Sequence, residues 1–377
     1  MPAKAQKEQK NRRKTAEDIE KKRRTRQEKK PKKAKEEITP VTSEQKPGEV
    51  GEEFALRGPV FGRPALIQTT YGIKGDFEVV VPLATGGMAR YWRANDDEML
   101  PWHGPISFGI DAGLIKGVSM IQGNFGEAGN LELAALDVGG HNLMHFWCDY
   151  GQSFEWHGPN QISERSLVPA FSGNPAMIQS GFEGRGRLEL VVPRADGGFS
   201  YYLRNNNQPD LKWLGPFDFA IDAGFFDDVT MIQSNFGDTG NLEVVARSGD
   251  QLVSFWRDSG AEFEWHGPNI INSGVAGTPS MIQSTFGNRG NFELVSPLAS
   301  GGMAHWWRDN DDPHLHWYGP FMFGMNLGKV DAVSLIQSNW GDPGHLELVA
   351  QADGQLAFFW RDSGPDFRWN GPQFITF

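Results

Sequence analysis

From residue 65 onward, short apolar runs alternate with Gly/Asp/Asn turns, and the pattern repeats down the chain. The stretch from Thr230 shows the layout. Apolar runs at Thr230–Asn235, Asn241–Arg247 and Gln251–Arg257 are separated by the turns Gly237-Asp-Thr-Gly240 and Ser248-Gly-Asp250. A fourth run, Glu262–His266, is expected to end at Gly267-Pro268. Runs of this length, rich in Val, Leu, Ile, Phe and Trp and bounded by turn residues, predict strands joined as hairpins. No stretch after residue 50 keeps a 3.6-residue apolar period over three turns, so the unit reads as a four-stranded antiparallel meander.

The unit recurs six times. Its tags end at Gln68, Gln122, Gln179, Gln233, Gln283 and Gln337, with spacings of 54, 57, 54, 50 and 54 residues. A fixed period of this size means stacked units that bury their faces on one another. Apolar residues occupy both alternating sets, as in Met-Ala-His-Trp-Trp (303–307), so each sheet is covered on both sides. The expectation is an all-β protein, a β-propeller of four-stranded blades, with repeats starting near 65, 119, 176, 230, 280 and 334. Six blades follow from the count. Residues 53–62 match the fourth run of later units and leave seven as the alternative, or a cap on the last blade. Units one, three and five share Pro-x-Ala-x-Gly-Gly and an Asn/Asp-rich loop, whereas the others have a shorter turn, which predicts paired blades.

Charge divides the chain. Residues 1–47 carry 17 Lys+Arg against 8 Asp+Glu and no aromatic ring, while residues 48–377 carry a net of −20. A charged segment without rings buries too little apolar surface to offset its ordering entropy, so 1–47 is expected to be a disordered basic tail and 48–377 the propeller. The tail reads as a solubilising extension, or as an arm for anionic surfaces or nuclear import centred on Lys21-Lys22-Arg23-Arg24. The acidic balance of the ring argues against nucleic-acid binding there. One cysteine excludes a disulfide framework. No apolar run is long enough to span a bilayer and no signal peptide is visible, so a cytoplasmic location is expected, with nuclear entry or non-classical release as alternatives.

Four columns hold one residue type in every unit. Besides the Gln column there are Gly75, Gly129, Gly186, Gly240, Gly290 and Gly344 in the first turn, where a positive φ is the expected need. Glu78, Glu132, Glu189, Glu243, Glu293 and Glu347 sit mid-strand, where buried carboxylates require partners. Gln in the adjacent strand, or Arg93, Arg204, Arg257, Arg308 and Arg361, are candidates, with Cys148 breaking the Arg series. The Gln and Glu columns read as a structural network and not as a catalytic or metal ring, because chemistry needs an asymmetric constellation. The last column is Trp102, Trp156, Trp213, Trp265, Trp317 and Trp369, each followed by x-Gly-Pro, with x being His103, His157, Leu214, His266, Tyr318 and Asn370. These Trp residues either pack between blades or offer flat faces on which a sugar could stack, with the x residue and the loop Asp/Asn binding hydroxyls. A second column, Trp92, Trp147, Trp256, Trp307 and Trp360, raises the same choice. No metal spacing, nucleophile elbow, phosphate loop or dinucleotide fingerprint is present, so no cofactor, metal or catalytic residue is expected.

The strings Ile-Gln-Ser-Asn-Phe-Gly-Asp-Thr-Gly-Asn-Leu-Glu-Val-Val-Ala (232–246), Ser-Phe-Trp-Arg-Asp-Ser (254–259) and Trp-His-Gly-Pro (265–268) resemble the repeat of the PLL-type β-propeller lectins, named for a Photorhabdus lectin. The resemblance covers roughly 53–377. It implies a propeller that binds fucose and related glycans at several sites around a seven-bladed ring. The functional expectation is a non-enzymatic, lectin-like carbohydrate-binding propeller with several weak equivalent sites. The alternatives are a protein-interaction scaffold tethered by the basic tail and, behind it, an enzyme working at the channel mouth.

Overall fold

The computed structural model describes residues 60–150, 154–163, 170–259, 263–363 and 367–375. The tail expected at 1–47 lies outside them. The described residues form six four-stranded antiparallel sheets, each with its strands in chain order. They are the blades of a six-bladed β-propeller, spanning 65–108, 115–161, 176–219, 228–273, 280–323 and 332–374. Among the described residues no seventh blade is formed. The sixth sheet has its own fourth strand, Trp369–Phe374. Val60 and Phe61, the described end of the extra segment, instead bond to blade corners, Val60 N to Gly354 O at 3.3 Å and Phe61 N to Pro82 O at 2.9 Å.

Blade 4 consists of Asp228–Gln233, Leu242–Ser248, Gln251–Arg257 and Trp265–Ser273. Three strands match the sequence pattern to within two residues. The fourth differs, because it does not stop at Gly267-Pro268 but continues through it to Ser273. An outer edge strand needs no amide donor on its solvent side, so proline is tolerated there. The register shifts between Ser254 and Trp256, and Gly267 has φ +119°. A Cβ on Gly267 would come within 2.7 Å of Ser254 O, so only glycine permits this bend.

Second strands are the most deeply placed, and in blade 1 every residue of Phe77–Pro82 is buried. Buried apolar side chains gather into six clusters, one at each seam between neighbouring blades. Each fully buried large side chain contributes about 1.5–3 kcal/mol. Short 3-10 turns at Ile110–Ala112, Ile221–Ala223 and Met325–Leu327 follow blades 1, 3 and 5, in step with the alternation in the sequence.

The Gln column clasps the ring. Each of these Gln side chains donates through Nε2 to a carbonyl of its own first turn, as Gln233 does to Thr239 O at 2.8 Å. At five seams its Oε1 also accepts from a backbone amide of the preceding blade, for example Asn235 N to Gln283 at 3.0 Å. The bond from Asn339 N to Gln68, 2.9 Å, joins blade 6 to blade 1 and closes the circle.

A polar plug fills the centre. Arg63 precedes blade 1, yet its Nη1 donates to Pro175 O in the approach to blade 3 (3.0 Å) and to Val229 O of blade 4 (2.8 Å). Asp228 accepts from the Asn174 amide and side chain and from Thr278 Oγ1. Among the described residues no helix is long and apolar enough to cross a membrane.

Candidate functional site

The Glu column is buried in every blade, and its partners are not the Gln side chains. In blades 3 to 6 a serine one residue beyond the Gln donates to the carboxylate: Ser180 to Glu189 at 2.8 Å, Ser234 to Glu243 at 3.0 Å, Ser284 to Glu293 at 3.2 Å and Ser338 to Glu347 at 2.9 Å. The arginine at the end of strand three turns toward the Glu of the preceding blade. Arg204 Nη2 lies 3.2 Å from Glu132 Oε1, and Arg361 Nη2 lies 3.9 Å from Glu293 Oε2. Every seam but that between blades 1 and 2, where Cys148 stands in place of the Arg, therefore sets an acid from one blade against a guanidinium from the next. Burial pushes the Glu243 and Glu347 carboxyls up to about 7, with the charges of Arg308 and Arg93 pulling the other way.

The two Trp columns line opposite walls of the same seams, with Leu203 in place of the second Trp between blades 3 and 4. In strand four, successive side chains point to opposite faces. Trp265 pairs with Arg257 across the strands, while His266 pairs with Trp256 and stacks on it at 5.0 Å. His103 on Trp92, His157 on Trp147 and Tyr318 on Trp307 repeat that stack. His157 also bonds to Asp149 at 3.1 Å, His266 to Asp258 at 2.8 Å, and Asn370 to Asp362 at 3.3 Å. A column Trp and the residue after it thus serve different seams. Trp265 lines the cavity between blades 3 and 4, and Trp256, on which His266 rests, lines the one between blades 4 and 5. Trp156, Trp265 and Trp369 also stack on Phe108, Phe219 and Phe323 of the preceding blade at 4.2, 3.9 and 4.3 Å.

Four seams enclose cavities: about 770 Å³ between blades 2 and 3, 350 Å³ between 3 and 4, 430 Å³ between 4 and 5, and 720 Å³ between 5 and 6. Their walls hold Arg204 and Trp213, Arg257 and Trp265, Arg308 and Trp317, and Arg361 and Trp369. Glu132, Glu243 and Glu293 line three of them. Glu189 does not line the fourth, where the Tyr201 hydroxyl donates to it. The 5/6 cavity brings His305, Arg361 and Trp369 together. His305 Nε2 lies 2.7 Å from Glu293 Oε2, and burial holds the His305 imidazole below its ordinary value. Arg361 Nε and Trp369 Nε1 are buried with no hydrogen-bond partner among the described residues, as are Nε and Nη2 of Arg257 in the 3/4 seam. Unpaired buried donors are costly, which makes these atoms natural contacts for a ligand that brings acceptors.

Two features escaped the sequence reading. The residue two before each column Trp has a positive φ of 43–51° in all six blades: Leu100, Phe154, Leu211, Phe263, Leu315 and Phe367. Leu211, Phe263, Leu315 and Phe367 reach into the four cavities as apolar lids. The signal was an apolar residue in a polar loop, repeated six times. The second feature is a strand-three position, three before the Arg (or Cys148), that holds five residue types in six blades: Arg90, His145, Tyr201, Ser254, His305 and Phe358. It stands beside the Glu. In blade 1, Arg90 grips Glu78 with two bonds of 2.8 and 2.6 Å, facing Cys148, where the next blade lacks the usual Arg. In blade 6, the Phe358 ring lies 5.7 Å from Trp102 and 5.0 Å from the Arg93 guanidinium.

The Asn/Asp loops brace turns. Asp96 accepts from Ile73 N and Lys74 N, and Asp311 from Asn288 N and Arg289 N. Among the described residues no group of three or more His, Cys, Asp and Glu side chains could hold a metal ion.

No family model matches the chain, and no curated protein does. Solved structures share its fold. The BP39L lectin from Burkholderia pseudomallei superposes with a TM-score of 0.60 at 21% identity, covering 84% of this chain and 86% of that one. The Aleuria aurantia lectin bound to alpha-methyl-L-fucoside gives 0.58 at 14% identity, covering 84% and 97%. AofleA from Arthrobotrys oligospora gives 0.59 at 10% identity, covering 84% and 86%.

Proposed function

We propose that this protein is a non-enzymatic carbohydrate-binding propeller whose sites are the cavities between blades. The observation that carries the reading is the repeated seam chemistry. A buried carboxylate and a guanidinium from neighbouring blades stand between aromatic walls, with unpaired Arg361 Nε, Trp369 Nε1 and Arg257 Nε as donors. A sugar offers both halves of the match. Its hydroxyls donate to the carboxylate and accept from guanidinium and indole, and its C–H face lies against a Trp ring. Trp213, Trp265, Trp317 and Trp369 are the stacking residues of this reading. His157, His266 and Tyr318 act indirectly, by stacking on Trp147, Trp256 and Trp307 of the second wall. The solved structures of similar fold include a fucose-specific lectin, so fucosylated glycans are the first ligands to test. Several modest sites on one ring add avidity on a glycan surface.

A glycan array followed by calorimetric titration with methyl α-L-fucoside tests the reading. Saturable uptake that weakens in Arg361→Ala and Trp369→Ala supports it. An array silent for every glycan, with capture of a protein partner unaffected by free sugar, would replace it with the scaffold reading, in which the basic segment 1–47 serves as the tether.

A further inference from the structure

We infer that only four of the six seams accept a sugar, and that Arg90 and Phe358, the strand-three residues beside Glu78 and Glu347, close the other two. The inference rests on the glycan-binding reading above. The seams share a frame, but two are filled from within. Between blades 1 and 2, Arg90 occupies both oxygens of Glu78, and Cys148 removes the guanidinium that a ligand would meet. Tyr71, stacked on Tyr150 at 4.0 Å and set edge-on to Phe154 at 5.8 Å, packs the same space. Between blades 6 and 1, the Phe358 ring, 2% exposed, is wedged between Trp102 and Arg93.

The 6/1 seam is otherwise a complete site, as a comparison with the 4/5 seam makes plain. In both, a serine donates to the Glu: Ser338 to Glu347 at 2.9 Å and Ser234 to Glu243 at 3.0 Å. In both, the Arg gives its Nε to an Asn: Arg93 to Asn95 and Arg308 to Asn310, each at 2.8 Å. Both carry a leucine with positive φ as lid, Leu100 and Leu315. In strand three they differ beside the Glu, with Phe358 in one and Ser254 in the other. Phe358 is therefore a stopper in a site whose recognition groups are intact, whereas the 1/2 seam has lost its Arg as well.

Counting bound sugars tests this directly. Native mass spectrometry and calorimetry with saturating methyl α-L-fucoside should give the full-length protein no more than four equivalents. Phe358→Ser should gain one, and Ser254→Phe should lose one. A soaked crystal should carry sugar density at the 2/3, 3/4, 4/5 and 5/6 seams alone. If removing Phe358 prevents folding, Ser254→Phe and the crystal still decide the matter. Five or six equivalents in the wild-type protein, or an unchanged count in a folded Ser254→Phe variant, overturns the inference while leaving glycan binding in place. No sugar bound at any concentration overturns both.

Discussion

Arg63 offers a quantitative test of the ring. Its guanidinium is buried at the centre and donates to Pro175 O at 3.0 Å and Val229 O at 2.8 Å, bringing the chain ahead of blade 1 onto blades 3 and 4. Burial lowers its pKa to about 10, and the charge of Asp228 acts against that shift, so it remains cationic at neutral pH. Arg63→Ala leaves two buried carbonyls short of a donor. It also removes a cation from the field of Asp228, whose oxygens are already held by Asn174 and Thr278. Hydrogen bonds from a charged donor contribute about 1.5–3 kcal/mol each, and breaking a buried charge arrangement costs about 3–5 kcal/mol. The expected loss is therefore about 3–5 kcal/mol, read as a shift in urea midpoint at constant slope. Arg63→Lys keeps the charge but not the planar fork and should recover only part of the loss. A change below about 1 kcal/mol for Arg63→Ala would mean that the blades close without the plug, and the reasoning about the axis would be wrong.

Acidity should act in an unusual direction. Glu243 and Glu347, raised to about 7 by burial, hold their protons in the folded state while the unfolded chain ionises near its ordinary value of 4.5. Stability should therefore fall as pH rises from about 4.5 to about 7 and level off above, by a few kcal/mol in total; urea midpoints that climb across this window refute the assignment. Gly240→Ala forces a side chain into φ +87° with its Cβ 2.5 Å from Ser234 O, and should cost about 1–3 kcal/mol in thermal or urea unfolding. Gln283→Ala removes the clasp between blades 4 and 5, in which Asn235 N and Arg289 O lose their partner, and should cost about 1–2 kcal/mol. Cys148, buried with its thiol pushed up to about 12, should resist a thiol reagent in the native protein and react at once in urea.

The blade and its period were legible because each unit repeats the same local instructions. Gly240 and its counterparts mark the first turn, and Gln233 with Glu243 marks the first hairpin. The fourth strand was cut short at Gly267-Pro268, since those residues usually end a strand and only an exposed edge lets them continue. The seam chemistry was half legible. Glu, Arg and Trp columns stood out, but Glu132 meets Arg204 across a separation of 72 residues, and nothing local says that an acid looks to the next unit for its cation. The strand-three position was invisible for a different reason. A repeat is recognised by sameness, and the position of Arg90, His145, Tyr201, Ser254, His305 and Phe358 matters because it varies.

Blade 1 has a special place in the circle. Its mates on either side are reached by chain of very different length: blade 2 follows at once, while the bond between Leu66 N and Ser334 Oγ joins residues 268 positions apart. Bringing such distant pieces together carries the largest entropic penalty of any junction in the molecule. Both flanks of blade 1 are the ones packed solid, by Phe358 on one side and Arg90 on the other. A lock-and-latch division follows: the stretch where the toroid is fastened holds itself shut with its own side chains, and the remaining arc is left free to open its clefts to solutes.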